Sequence, residues 1–302
     1  MSDVIFLLAL SLAFGASIAS ALRYLSLRLG TEDGSAFTAI LIVMCVNVGV
    51  LLPLTAIYYY PDYGLTPLSV VWFIGAGAVG TVAGRIFMYT SISRIGASRT
   101  SPLVASWALV SAVLGVVFLD EVLTIQRGTG IIFVVLGVAV IARETGQAAD
   151  KQITRTDALL GLALPLGAAV AFGAEPIFAN FGFRQGTPAP VGLVVKILAG
   201  TLGFSLYLSW RNSLPTLRTL RASNTKWFLA AGVASTGSLL CYYIALSLAP
   251  VSIVVPIMAS NSLFVVPMAF AFMPARLERV TWQLGVGATV VVAGIVLITA
   301  SG

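Results

Sequence analysis

Residues 118–130 read FLDEVLTIQRGTG and residues 277–287 read LERVTWQLGVG. Laid over one another, both spell E-x-x-T-x-Q-x-G-x-G. Glu121, Thr124, Gln126, Gly128 and Gly130 fall on Glu278, Thr281, Gln283, Gly285 and Gly287. One heptad further on, Gly137 falls on Gly294. Chance likeness between apolar segments does not produce such a motif twice, so the chain contains an internal duplication. The match extends outward. A shift of 154 carries Tyr89, Ser93, Ser98, Pro102 and Ser106 onto Tyr243, Ser247, Ser252, Pro256 and Ser260. A shift of 155 carries Trp72, Phe73, Gly77 and Thr81 onto Trp227, Phe228, Gly232 and Thr236, and a shift of 152 carries Gly15 onto Gly167.

Composition says what solvent the duplicated halves face. Of the 302 residues, 59% are apolar and 9% charged, and the mean hydropathy is +1.01. A soluble domain carries about 25% charged residues, so seventeen bases and eleven acids cannot cover a water-facing surface of this size. The solvent is mostly lipid. A spanning helix takes roughly 20 apolar residues, and the apolar runs predict ten, at 4–26, 36–59, 68–92, 99–119, 126–143, 157–181, 189–210, 225–247, 251–272 and 280–299. The most polar stretch, RETGQAADKQITRTD from Arg143 to Asp157, lies at the midpoint. The expected organisation is therefore all-α and membrane-integral: a five-helix repeat over 1–143, a linker over 144–156 and a second repeat over 157–302.

Five is odd, so the second repeat must cross the bilayer in the opposite sense to the first. Loop charge agrees. The connections after the first, third, fifth, seventh and ninth predicted helices carry Arg28, then Arg94 and Arg99, then Arg143, Lys151 and Arg155, then Arg211, Arg218, Arg221 and Lys226, then Arg276 and Arg279. The opposite side carries only Arg127 and Arg184. The positive-inside rule predicts a multi-pass protein of the cell membrane with its basic loops cytoplasmic and both termini outside.

Several classes of chemistry drop out. With no histidine, a Ser-His-Asp triad, an HExxH zinc site and histidine haem ligation are impossible, and no GxxxxGK[ST] phosphate loop occurs. No metal cluster or cofactor motif is expected. The basic pI of 9.6 comes from loop residues that orient the helices and does not imply nucleic acid. Cys45 and Cys241 lie inside apolar runs and read as small buried hydrophobes.

Two five-helix repeats, each with a proline-containing helix followed by E-x-x-T-x-Q-x-G-x-G, resemble the EamA family of the drug/metabolite transporter superfamily. The resemblance covers essentially the whole chain. It implies a ten-helix secondary transporter or exporter of small polar metabolites and leaves the substrate open. Met273-Pro274-Ala275-Arg276 before Glu278 departs from the small-residue turn common at that point.

Transporters built from inverted repeats bind near the bilayer midplane, where charged side chains are costly and therefore functional candidates. Arg85 lies about 14 Å inside its helix at 1.5 Å per residue. Thr81 and Tyr89 share its face at i−4 and i+4. The second repeat offers Thr236 and Tyr243 but Leu239 and Leu240 in place of the arginine. A guanidinium on such a stripe suits a carboxylate or phosphate; its bland alternative is a pairing that only fixes the bundle. Ser106-Trp107 and Ser260-Asn261 occupy matching positions and complete the expected substrate-binding set, with helix bridging as their alternative. Pro102 and Pro256 are expected hinges. Glu175 is a candidate proton-coupling group or counter-ion, or a solvated residue near a helix end. Lys196 is another coupling candidate, with snorkelling as its simpler reading; Met44 stands at its place in the first repeat. Glu121 and Glu278 read as helix caps.

Arg23, Arg85, Lys196 and Glu175 together are net positive, which favours amino acids and organic anions over cationic drugs. The weighed alternatives are a facilitator without ion coupling and a structural membrane protein that transports nothing. An enzyme is not expected. The partners expected are the small solute, the bilayer and a coupling proton, with a monomer or homodimer able to complete the pathway.

Overall fold

In lipid each backbone N–H and C=O must find its partner within the protein, so long apolar runs become helices. The computed structural model describes residues 3–30, 36–95, 100, 103–145, 155–211, 225–261, 263–265, 267–268 and 282–300. In chain order the helices are α1 (Asp3–Gly30), α2 (Ala36–Tyr58), α3 (Pro67–Ala76), a π-helical segment (Gly77–Ala83), α4 (Gly84–Ile95), α5 (Trp107–Leu119), α6 (Ile125–Thr145), α7 (Arg155–Phe183), α8 (Ala189–Trp210), α9 (Thr225–Leu248), α10 (Val251–Ala259) and α11 (Trp282–Thr299). The protein is an all-helical, multi-pass membrane protein. Among the described residues, six helices are long and apolar enough to cross a bilayer, and the remaining apolar helices are shorter.

Local chemistry sets the ends. Before α3, the Thr66 hydroxyl accepts from the Ser69 N–H at 3.1 Å while the Ser69 hydroxyl accepts from the Thr66 N–H at 3.0 Å, a reciprocal cap with Pro67 in the first turn. After α5, Asp120 takes a left-handed φ of 60° and its N–H closes on the Gly115 carbonyl.

Two predicted helices are interrupted. The run predicted over 99–119 is broken by a turn at Ala105 and Ser106, and the run predicted over 251–272 by a turn at Ser260 and Asn261. The cause is the same in both repeats. Ser106 Oγ donates to the Leu103 carbonyl at 2.7 Å and Ser260 Oγ to the Ile257 carbonyl at 2.6 Å, and this side-chain bond competes with the helical ladder. Pro256 lies within α10, one turn before the break; Pro102 lies outside the described residues. A third irregularity, the π-helical segment, runs through the predicted helix 68–92 without ending it.

The helices gather into two compact units that cut across the sequence halves. One comprises 1–82 and 178–248, the other 83–177 and 249–302. Each therefore draws helices from both repeats. In the first unit, α9 packs on α1, α2 and α8, and α8 also packs on α2 and α3. The α1–α9 seam is close because α1 buries Ala9, Ala13, Ala16, Ser17, Ser20 and Ala21, and Ser238 Oγ donates to the Ala16 carbonyl at 2.8 Å. Aromatic rings fill the space around α3: Trp72 lies 4.8 Å from Phe181 and Phe73 lies 5.4 Å from Phe183, centroid to centroid. Phe73 is fully buried, and a Cβ at Gly182 would come within 2.5 Å of its ring. Cys45 faces outward from α2, and Cys241 is half-buried, so neither is the buried hydrophobe expected. On an outward face of a membrane helix, lipid takes the place of a packed core.

In the second unit α6 packs along α11, and α10 packs on α5 and α6. A Cβ placed at Gly130 would lie 2.7 Å from the Gly294 carbonyl oxygen, and one at Gly137 would lie 2.7 Å from that of Gly287. The pairings run in opposite chain directions, so α6 and α11 are antiparallel here.

Candidate functional site

The first unit holds a buried ammonium. Lys196 lies on α8, 6% exposed, with Nζ 5.3 Å from the centroid of the Tyr243 ring. This corrects the snorkelling reading: the side chain stays inside and meets an aromatic face. Tyr243 is wholly buried and packs in turn against Phe183 at 5.8 Å, the two rings nearly perpendicular, and against Tyr242 at 6.0 Å. The lysine backbone is just as constrained. A Cβ at Gly77 would lie 2.5 Å from the Lys196 carbonyl oxygen, so the π-helical segment approaches α8 through a residue that has none.

One turn along α8, Gly200 faces Thr81, whose Cβ would lie 2.7 Å from an added methyl. Thr81 is buried at this contact with α8. Its repeat counterpart Thr236 is also buried against a neighbouring helix, donating to Asn47 Oδ1 at 2.9 Å. Asn47 Nδ2 donates to Ser235 Oγ at 3.2 Å, so both ends of the amide are engaged between α2 and α9. Asn47 and Ser235 are not among the residues expected from the sequence. The signal was present, because an amide in an apolar run has to find polar partners.

The unit also orders its charges along its axis. Gly30, at the end of α1, packs on Trp227 and Phe228 near the start of α9. Tyr243, towards the end of α9, lies by Phe183 and Lys196, towards the start of α8. The tail of α1, the tail of α8 and the head of α9 therefore share one end, with Arg28, Arg211 and Lys226. Asp62 and Tyr63 mark the other, where Thr187 Oγ1 donates to the Gly64 carbonyl at 2.7 Å.

The second unit contains the remaining candidates. Arg85 and Tyr89 are half-buried on α4, and Trp107 is half-buried in the first turn of α5. Glu175 is 9% exposed within α7, which excludes the solvated reading; Pro176 follows it. Asn261 is half-buried at the turn after α10. The hydroxyls of Ser106 and Ser260 are committed as donors to their own helices, which leaves only their lone pairs for another partner. Thr81, Lys196 and Tyr243 thus belong to one unit, and Arg85, Tyr89, Ser106, Trp107, Glu175, Ser260 and Asn261 to the other.

Glu121 also caps a helix, though a distant one. Its Oε1 accepts from the Val251 N–H at 2.6 Å and its Oε2 from the Ser252 N–H at 2.9 Å. The carboxylate satisfies the first turn of α10, in the other repeat, and lies over Gly115, where a Cβ would stand 3.0 Å from Oε2. Glu278 lies outside the described residues.

The comparisons agree with the doubled architecture. The model of the EamA-like transporter family matches twice, over residues 7–143 and 159–300. The chain belongs to the EamA-like transporter family. It is thereby a membrane transporter of the drug/metabolite type rather than an enzyme. An uncharacterized protein of Methanocaldococcus jannaschii is 25% identical over 95 residues, which span 32% of this EamA-like chain and 69% of that protein. A protein crystal structure superposes with a TM-score of 0.80 over 97% of this chain and 96% of its own, at 14% identity. At that identity the likeness concerns the fold.

Proposed function

We propose that this EamA-like protein is a secondary transporter of a small polar metabolite, with amino acids and organic anions favoured. It works by alternating access between two inverted five-helix halves, ten spans in all. The observation that carries the reading is the burial of Lys196 and Glu175 inside otherwise apolar helices. Ionisable groups so placed cost free energy that a scaffold has no reason to spend, and they mark solute or ion pathways. The duplicated polar positions, Thr81 with Thr236 and Ser106 with Ser260, suit a pathway assembled from both repeats. Arg85, Tyr89, Trp107 and Asn261 remain the proposed solute contacts of the second unit, with Ser106 and Ser260 supporting them, and Tyr243, with Thr81 supporting it, remains that of the first. Glu175 is the proposed proton-coupling group. Arg28, Arg211 and Lys226 share one end of their unit, which fits a cytoplasmic basic face in the cell membrane and both termini outside.

The test is counterflow in proteoliposomes loaded with amino acids and organic acids, wild type beside Arg85→Ala. Exchange by wild type, lost in a folded Arg85→Ala protein, supports both the transport reading and the arginine's part in it. Normal exchange by the variant makes Arg85 structural. Failure of wild type to exchange any of these solutes rejects the favoured substrate class. A Glu175→Gln protein that still exchanges but no longer responds to a pH gradient supports proton coupling, and an unaltered response rejects it.

A further inference from the structure

We propose that Tyr58 and Tyr60, in the connection from α2 to α3, anchor the first unit in the headgroup region of the bilayer. The occupant of this surface is the interface of a neutral or zwitterionic leaflet, and the two rings set the depth of α2 within it. The role is independent of which solute the protein carries.

Three observations carry it. First, the rings continue a lipid-facing stripe. Val50, Leu54, Ile57 and Tyr58 are all exposed and share one face of α2, a spanning helix that ends at Tyr58. Tyr58 is 81% exposed and Tyr60 77%, so the stripe passes from aliphatic groups to phenols as the helix ends. A phenol, apolar in its body and polar at its tip, suits the boundary between lipid tails and water. Second, the exposure is built in. The Tyr63 hydroxyl donates to the Ala56 carbonyl in the last turn of α2 at 3.1 Å, and Asp62 Oδ1 accepts from the Gly64 N–H at 2.9 Å. The Gly64 carbonyl accepts from Thr187 Oγ1 at 2.7 Å, and a Cβ at Gly64 would lie 3.0 Å from Pro188. The connection is thus tied to α2 and to the start of α8, with Tyr58 and Tyr60 held outward. Third, charge selects the occupant. Residues 57–66, IYYYPDYGLT, contain no lysine or arginine, and their one carboxylate is engaged with Gly64. The repeat-equivalent connection, from α8 to α9 at the opposite end of the unit, carries Arg211, Arg218 and Arg221, with Lys226 just beyond. Bases of that kind attract anionic headgroups. The α2–α3 connection has no such charge and meets the interface through aromatic rings, so the duplicated connection has diverged into a different anchor at each end.

The experiment is spin-label depth measurement on the full-length protein in phosphatidylcholine vesicles. Cys45→Ser and Cys241→Ser remove the native thiols. A nitroxide is then placed, one at a time, at Tyr58→Cys, Tyr60→Cys, Leu54→Cys and Asp62→Cys, and relaxation by oxygen from the lipid is compared with relaxation by a water-soluble nickel chelate. Leu54 is expected to favour oxygen and Asp62 nickel. Positions 58 and 60 are expected between them, near the edge of the hydrocarbon core, about 15 Å from the midplane. Anchoring itself is read from the Leu54 label. The pair Tyr58→Ser and Tyr60→Ser should move it towards the headgroups by at least one residue's rise, about 1.5 Å, whereas Tyr58→Trp and Tyr60→Trp should leave it in place. Labels at 58 and 60 as open to nickel as Asp62 overturn the proposal, because the rings then stand in water. Labels shielded from both reagents also overturn it, because protein, such as a second copy of the chain, then covers the rings. An unmoved Leu54 label in the folded serine pair rejects the anchoring role. Should the serine pair not fold, Tyr58→Phe with Tyr60→Phe decides: without hydroxyls to hold them at the interface the rings should sink and carry Leu54 deeper, and an unchanged depth rejects the role.

Discussion

Gly130 and Gly294 meet backbone to backbone. A Cβ at Gly130 would lie 2.7 Å from the Gly294 carbonyl oxygen, and one at Gly294 would lie 2.6 Å from that of Gly130. Their repeat counterparts are Gly287 and Gly137, which form the neighbouring contact, where a Cβ at Gly137 would lie 2.7 Å from Gly287 O. Each repeat thus offers the same pair of glycines, and each glycine meets the counterpart of its companion. That is the reciprocity of a two-fold axis, produced here within a single chain.

Gly294→Ala and Gly137→Ala should therefore each destabilise the fold by about 1–3 kcal/mol, since the obstruction is backbone and cannot rotate away. Gly285, on the same helix, has nothing within 4 Å of its added Cβ. Gly285→Ala is expected to be neutral or slightly stabilising, because alanine is the better helix former. Thermal unfolding of the three variants in detergent checks the contrast, and equal behaviour would mean that α6 and α11 do not pack through these glycines.

Glu121→Gln should cost about 1.5–3 kcal/mol. An amide cannot accept from both the Val251 and Ser252 N–H groups with equal strength, and the negative charge at the start of α10 is lost. Glu121→Asp should also be damaging, because the shorter side chain falls short of the turn. Gln126 is exposed in the same motif, and Gln126→Ala is expected to change stability by less than about 0.5 kcal/mol. Unfolding of the three variants side by side separates an inter-repeat cap from a general effect of charge.

The Asn47–Thr236–Ser235 network should be worth little by comparison. Hydrogen bonds between membrane helices average about 0.6 kcal/mol and reach about 1.7, so Asn47→Leu and Thr236→Val should each stay under about 2 kcal/mol. The double variant should cost less than the sum of the two, because both remove the same 2.9 Å bond. Strict additivity would mean that the two side chains do not interact.

Helix positions, the duplication and the family were legible because they depend on local chemistry. Apolar length dictates helix in lipid, and Glu121, Thr124, Gln126 and their counterparts recur in order along the chain. Lys196 was visible as a charge in an apolar run, but its direction was not. Snorkelling and burial on Tyr243 differ only in what the neighbouring helices present. The same applies to Glu121: cap chemistry was readable, but the helix it caps starts 130 residues later.

By itself, then, the sequence determined that the chain is an all-helical membrane protein with two matching repeats and few ionisable groups within them. The tertiary structure alone decided that α6 and α11 meet at their glycines, that Lys196 lies over a tyrosine, and that the compact units mix helices from both halves. The physical reason is the solvent. In water a helix shows its partner an apolar stripe, but in lipid most faces are apolar. Pairing then depends on where small residues let backbones approach and where a polar group finds its complement.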